Sequence, residues 1–259
     1  MTELAARAAL THRTTAALAG YVALYLAATG CTAARAFPVA VALHGLLILG
    51  AAVAYAAAAP GGARPVLLCL LLVSLEQVLA LATPYPQLGP AGRATLAGAP
   101  FAVGVAVALG NPTLRALLRT SVSPSWGGWV LQGLVALAGV PVGIVAGLQS
   151  RLPDPGRLVP AALTAAAVVL FAVLPEEVVF RGLLDPLGFN LTRSWLLISE
   201  VVLYAGAYAV TGRLGLVLLA AVAGTAAGYF RIRSGCLAGV AAAHAVAATV
   251  AVVVLPGWR

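Results

Sequence analysis

Apolar residues occur in long runs along the whole chain, and the runs are separated by Arg, Pro and Gly. A membrane-spanning helix needs about 20 mainly apolar residues. The runs of that kind are roughly 15–34, 37–59, 65–83, 94–114, 127–149, 158–175, 194–212, 214–230 and 234–256. The runs 94–114 and 214–230 fit the pattern least well. The pattern of apolar runs therefore predicts eight or nine transmembrane helices.

The gaps between the runs contain turn-forming residues, such as Pro60-Gly61-Gly62 and Pro153-Asp154-Pro155-Gly156. None of these gaps has the length of a soluble domain. The pattern therefore predicts an all-α polytopic helix bundle that forms one integral membrane domain.

Composition supports a membrane protein. The 259 residues are 62% hydrophobic and only 8% charged, whereas soluble domains are about 25% charged. Few charges exclude a soluble enzyme, a disordered chain and a nucleic-acid-binding protein. The net charge is +8, and all 15 basic residues are Arg. These arginines are scattered between the apolar runs, as is typical of loops that flank membrane spans. We therefore expect the lipid bilayer as a partner and no nucleic acid.

Cysteine usage predicts no metal or disulfide framework. Cys31, Cys69 and Cys236 stand alone, without a CxxC pair or a Cys/His cluster. No HExxH sequence occurs either, and we predict neither a metal nor another cofactor.

Ionisable residues inside apolar runs are the candidates for function, because each costs roughly 2.5–3.5 kcal/mol to insert at the centre of a membrane helix. They are His44, Glu76, Glu176, Glu177, Arg181, Glu200 and His244.

The segment 174–182 (LPEEVVFRG) has two adjacent carboxylates at the end of an apolar run. Residues i and i+4 share a helix face, so Glu177 and Arg181 can form an ion pair. Glu176 then lies about 100° away and is free to act as a general base. The alternative is a salt bridge of purely structural importance at a helix end.

Two later runs add polar groups. Glu200, Tyr204 and Tyr208 follow an i, i+4, i+8 spacing that puts them on one helix face, either as part of a buried pocket or as interior packing. His244 lies near the middle of the last run between alanines, and a histidine at that depth favours a functional role. For His44 we expect a packing role, and Glu76 could line a cavity.

The sequence Glu176-Glu177-Val178-Val179-Phe180-Arg181-Gly182 resembles the EExxFRG motif of the CPBP intramembrane proteases, also called the CAAX prenyl protease and bacteriocin-processing, or Abi, family. The resemblance extends over about 158–256 and divides the chain into N-terminal transmembrane helices (1–157) and a catalytic-core unit (158–259). It implies that Glu176 activates water and that Glu177 and Arg181 orient the Glu176 side chain. It also implies that His244 is the histidine of the third motif.

Two positions depart from the family. Its second motif is FxxxH, but the best match here is Tyr204-Ala205-Gly206-Ala207-Tyr208, so a tyrosine replaces the histidine. Its third motif is HxxxN or HxxxD, but Ala248 follows His244 at that spacing. Tyr208 can donate a hydrogen bond to an oxyanion but is a poor base at neutral pH.

We therefore expect a membrane-embedded endopeptidase with the site residues Glu176, Glu177, Arg181, Tyr208 and His244. Its substrate would be a membrane-associated peptide or protein, and its location the bacterial cytoplasmic membrane. One alternative is a catalytically weak relative with an immunity, regulatory or scaffolding role. Another is a transporter with Glu76, Glu200 and His244 as a proton relay. Substrate identity, orientation and oligomeric state stay open.

Overall fold

A computed structural model of the protein describes residues 3–58, 64–82, 90–112, 115, 126–150, 158–183 and 193–254. These residues form nine helices and no strand, which confirms the predicted all-α membrane bundle. Five helices are uninterrupted: α1 (Glu3–Ala33), α2 (Phe37–Ala57), α3 (Arg64–Ala82), α4 (Pro90–Gly110) and α8 (Leu214–Ser234).

The other four helices change their winding along their length. Helix α5 (126–150) consists of Trp126–Leu137 and Gly139–Ser150, and α6 (158–183) of Leu158–Val168, a π turn Val169–Val173, an α turn Leu174–Glu177 and a π turn Val178–Leu183. Helix α7 (193–211) continues from Arg193–Ala207 into a 3₁₀ turn Tyr208–Thr211, and α9 (238–254) from Ala238–Thr249 into a π turn Val250–Val254.

The helices have the length and surface of membrane spans. Six are long and apolar enough to cross a bilayer, and α4, α7 and α9 contain shorter apolar stretches. Large apolar side chains such as Leu46, Leu134 and Val222 point outward and are exposed, as lipid-facing residues are. The chain is an integral membrane protein.

Several predicted boundaries were wrong. Helix α6 continues to Leu183 rather than ending near 175, so the Glu-Glu motif lies inside a helix and not at its end. Pro175 has no N–H for the helical ladder, and the π turn directly before it absorbs the irregularity. Helix α1 begins at Glu3, but its membrane span Ala16–Ala33 agrees with the predicted run 15–34.

Glycine ends α8 and sets the start of α9. Gly235 has a φ of 68° and donates its N–H to the carbonyl of Arg231 at 2.9 Å, a left-handed cap that stops the helix. As a result α8 extends to Ser234, and α9 begins at Ala238 instead of 234.

Small residues allow the helices around the motif to approach closely. A Cβ at Gly143 of α5 would lie 2.7 Å from the Cβ of Val250 in α9. A Cβ at Gly224 of α8 would lie 3.0 Å from the ring of Tyr204 in α7. Gly224 and Gly228 of α8 thus both lie at close helix contacts, whereas Gly235 serves as a cap and has no close neighbour.

The core holds α6 in the centre of the bundle. The fully buried side chains of Tyr25, Phe180 and Leu203 come from α1, α6 and α7. Tyr25 Oη also donates to the carbonyl of Leu203 at 3.1 Å. These contacts fix the rotation of α6 and α7 relative to α1.

Candidate active site

The predicted pair of Glu177 and Arg181 forms on α6. Glu177 Oε1 accepts a hydrogen bond from the guanidinium of Arg181, one turn further along the same helix. Both side chains are 1% exposed. A buried ion pair of this kind persists only where each partner is well satisfied, because removal of both charges from water is costly.

Arg181 has further partners on α7. Its Nε lies 3.0 Å from Glu200 Oε1, and its guanidinium carbon lies 4.7 Å from the centre of the Tyr204 ring. Gly228 of α8 makes room for this carboxylate, since a Cβ there would lie 3.1 Å from both Glu200 oxygens. Arg181 is thus held between two carboxylates and an aromatic face.

His244 of α9 completes this cluster. Its Nδ1 lies 2.7 Å from Glu177 Oε1, and its ring meets the ring of Tyr204 edge-on with the centres 6.0 Å apart. An ionised carboxylate only accepts hydrogen bonds, so Nδ1 is the donor in this bond. The bond sets the orientation of the ring and leaves Nε2 available for a substrate or water.

Glu176 is adjacent to this cluster in sequence but faces a different space. It lines a cavity of about 260 Å³ together with Tyr208 and His244, which we call the Glu176 cavity. Three residues that were singled out from the sequence therefore meet in one place, although they come from α6, α7 and α9. Ala248, at the position where the family has Asn or Asp, also lines it.

A second cavity of about 300 Å³ shares Tyr204 and His244 with the Glu176 cavity, and we call it the Glu177 cavity. Glu177 and Arg181 reach into it, and Tyr204 and His244 border both cavities. Most of its remaining lining is Ala, Val and Gly from α5, α8 and α9. A charged end and apolar walls suit a ligand with both polar and hydrophobic parts.

Two residues of the cluster were missing from the predicted site. Tyr204 stacks on Arg181 and lines both cavities. Glu200 pairs with Arg181 and is only 7% exposed. Their signal was present in the i, i+4 spacing of Glu200, Tyr204 and Tyr208, which put all three on one face.

The remaining ionisable candidates lie elsewhere. His44 is fully buried and packs edge-on against Tyr25 at 5.4 Å, in line with the expected packing role. Glu76 lines a third cavity of about 180 Å³, which we call the Glu76 cavity, together with Glu176 and Tyr208. Neither Glu200 nor His244 is among the described residues that line that cavity, and the transporter hypothesis stays a prediction.

Among the described residues, no three or more His, Cys, Asp or Glu side chains form a group that could hold a metal ion. Independence of the site from metal stays a prediction.

Comparison with known proteins gives one match. Residues 158–250 match the model of the family described as Rce1-like, type II CAAX prenyl endopeptidase. No curated protein and no solved structure matches the chain. The match confirms the family resemblance predicted from the Glu176–Gly182 motif, and the matched segment contains all five predicted site residues.

Arg181→Ala is predicted to destabilise the protein, because Glu177 would keep a buried charge without the cation that binds it. We expect a loss of about 3–5 kcal/mol and poor accumulation in membranes, measured by quantitative immunoblot and by thermal unfolding in detergent. Arg115→Ala is the control, since Arg115 is exposed and donates to a backbone carbonyl. Equal stability of the two variants would contradict the pairing.

Proposed function

From the match of residues 158–250 to the Rce1-like family of type II CAAX prenyl endopeptidases, we propose that Glu176 of this membrane protein activates water for peptide-bond hydrolysis. The match supports a CAAX-protease-like membrane endopeptidase in general. The proposed substrate is a membrane-associated peptide or protein, and the proposed location is the bacterial cytoplasmic membrane.

One observation carries this proposal: Glu176, Tyr208 and His244 line the same cavity. Peptide hydrolysis needs a base that takes a proton from water and donors that stabilise the oxyanion. A carboxylate, a phenol and an imidazole supply both functions. These three groups converge from three helices. Their convergence supports a reaction site and not merely a structural salt bridge.

In the proposed reaction, the Glu176 carboxylate accepts a proton from water while the water oxygen forms a bond to the peptide carbonyl carbon. The carbonyl oxygen gains the negative charge, and Tyr208 Oη donates a hydrogen bond to it. His244 Nε2 donates a second hydrogen bond when the ring is an imidazolium, since Nδ1 keeps its own proton for Glu177. Collapse of this intermediate breaks the C–N bond, and the leaving nitrogen takes up the proton that Glu176 accepted from water. The carboxylate is then ionised again for the next turnover.

Glu177 and Arg181 act through His244. The bond from Nδ1 to Glu177 Oε1 holds the imidazole in one orientation, and Arg181 keeps Glu177 ionised in a buried position. We assign Glu177 and Arg181 as positioning residues, because in this proposal they act on the reacting atoms only through the orientation of His244.

The Glu177 cavity is the proposed place for the hydrophobic part of the substrate. Its walls include Val135, Val142 and Phe230, and it borders the Glu176 cavity at His244 and Tyr204. A chain held in the Glu177 cavity would present its adjoining peptide bond to Glu176.

A second candidate function is that of a catalytically weak relative with an immunity, regulatory or scaffolding role. Ala248 favours it, because this residue gives the Glu176 cavity a methyl group where the family has a polar side chain. Loss of one oxyanion donor can lower a rate about 100- to 1000-fold. Measurements on Glu176 and Tyr208 separate this possibility from an active enzyme.

Glu176→Gln is predicted to lower cleavage of a membrane-anchored peptide reporter at least about 100-fold, because the amide keeps the shape but cannot accept the proton. The protein should accumulate and unfold like the wild type. The control is Thr249→Val, which removes a hydroxyl that bonds only within α9. Wild-type turnover by Glu176→Gln would refute the assignment. If the wild type cleaves no reporter and Glu176→Gln binds its partner as the wild type does, the scaffold role is favoured.

Replacements of Tyr208 test whether it donates to the oxyanion. Tyr208→Phe should lower the rate because the donor is lost, whereas Tyr208→His restores the residue of the family motif and should retain or raise the rate. Ala248→Asn should likewise raise it. Initial rates on the same reporter measure all three variants, and a Tyr208→Phe variant as fast as the wild type would exclude a donor role.

A further inference from the structure

Glu76 is a buried carboxyl outside the segment that matches the family. It lies on α3 and is 4% exposed. Gln77 Nε2 donates to its Oε2 and also to the carbonyl of Ala207 at 3.1 Å. Ala207 directly precedes Tyr208, so this amide ties the Glu76 carboxyl to the turn that carries the proposed oxyanion donor.

Glu76 and Glu176 face a common space. Both line the Glu76 cavity of about 180 Å³, and Tyr208 lines it as well. Glu176 and Tyr208 also line the Glu176 cavity. The two cavities therefore meet at Glu176, with Glu76 on one side of this residue and His244 on the other.

The charges around Glu76 differ from those around Glu177. No Arg or His is among the described residues that line the Glu76 cavity, whereas Arg181 lies between Glu177 and Glu200. Two carboxyls that face one small cavity repel each other when both are ionised, and none of the described residues that line this cavity supplies a cation. Such a pair favours a state in which it retains one proton at neutral pH.

Other ionisable groups surround the pair. Tyr208 faces the cavity from α7, and Tyr25 of α1 is within electrostatic range of Glu76. Glu176 is also within electrostatic range of Glu177, Arg181 and His244. Helix α4 contributes Ala97, Gly98 and Phe101, none of which titrates. Neither phenol carries a charge at neutral pH, and Arg181 and His244 are each bound to Glu177, so we assign the retained proton to the two carboxyls.

We propose that Glu76 and Glu176 act as a carboxyl pair that shares one proton, with Glu76 as the positioning residue that keeps this proton available for the leaving nitrogen. The inference rests on the proposed function. Glu176 takes one proton from water as the C–O bond forms, and the pair returns one proton to the nitrogen as the C–N bond breaks. The pair therefore ends each turnover with the proton count with which it began.

A comparison of pH–rate profiles in proteoliposomes tests the pair. Glu76→Gln should lower kcat at least about 10-fold. It should also abolish the fall of wild-type activity at alkaline pH, because glutamine has no proton to lose. Glu76→Asp keeps a carboxyl and should retain both the alkaline fall and at least about a tenth of kcat. Ser74→Ala is the matched control, since this buried serine bonds to Tyr21 and does not line the Glu76 cavity.

A Glu76→Gln variant with wild-type kcat and the wild-type alkaline fall would overturn the pair. An equal loss of kcat in the Glu76→Gln and Glu76→Asp variants, with the alkaline fall retained in both, would also overturn it. If Glu76→Gln fails to accumulate, Glu76→Asp tests the pair. A Glu76→Asp variant that folds but lacks the alkaline fall would also overturn the pair.

Infrared spectroscopy of the resting protein supplies a readout that does not depend on cleavage. The wild type at neutral pH should show a protonated-carboxyl C=O band that is weaker in Glu76→Gln and unchanged in Ser74→Ala. An identical band in wild type and Glu76→Gln would overturn the pair. Failure of the proposed function looks different: the band behaves as stated, but the wild type cleaves no faster than Glu176→Gln.

Discussion

The arrangement of the site depends on how one buried carboxylate, Glu177, is satisfied. An unpaired charge at this depth would cost several kcal/mol, and Glu177 avoids that cost by binding Arg181 and His244 at the same oxygen. Arg181 in turn reaches Glu200. The requirement for partners therefore fixes α6, α7 and α9 relative to one another. The orientation of α6 that directs Glu177 into the cluster also directs the adjacent Glu176 into its own cavity.

The space for a reaction comes from small side chains. Gly139 and Gly143 bring α5 close to the backbone of α9, and Gly228 leaves room for the Glu200 carboxylate. Close approach at glycine stabilises helix pairs in lipid, where burial of apolar surface supplies little driving force between helices. Alanine at neighbouring positions such as Ala243 and Ala247 then leaves gaps beside the imidazole. Tight contacts at some positions and missing volume at others produce cavities inside a firmly packed bundle.

Much of the site follows from local spacing, and the remainder follows from contacts between distant helices. The Glu177–Arg181 pair was predictable because i and i+4 always share a helix face. The continuation of α6 beyond Pro175 was not, because charges in a sequence indicate a helix end unless their partners are known. Glu200 supplies such a partner from 19 residues beyond Arg181. Glu76 is a still more distant case, since nothing in the sequence shows which face of α3 meets α6.

A double-mutant cycle on Glu177 and His244 tests most directly whether this contact between α6 and α9 holds the site together. Thermal unfolding in detergent would be measured for Glu177→Gln, His244→Ala and the double variant. If the two groups stabilise each other, the double variant should lose about 1–3 kcal/mol less than the sum of the single losses. Single losses that simply add, to within about 0.5 kcal/mol, would contradict the contact on which the assembly of the site depends.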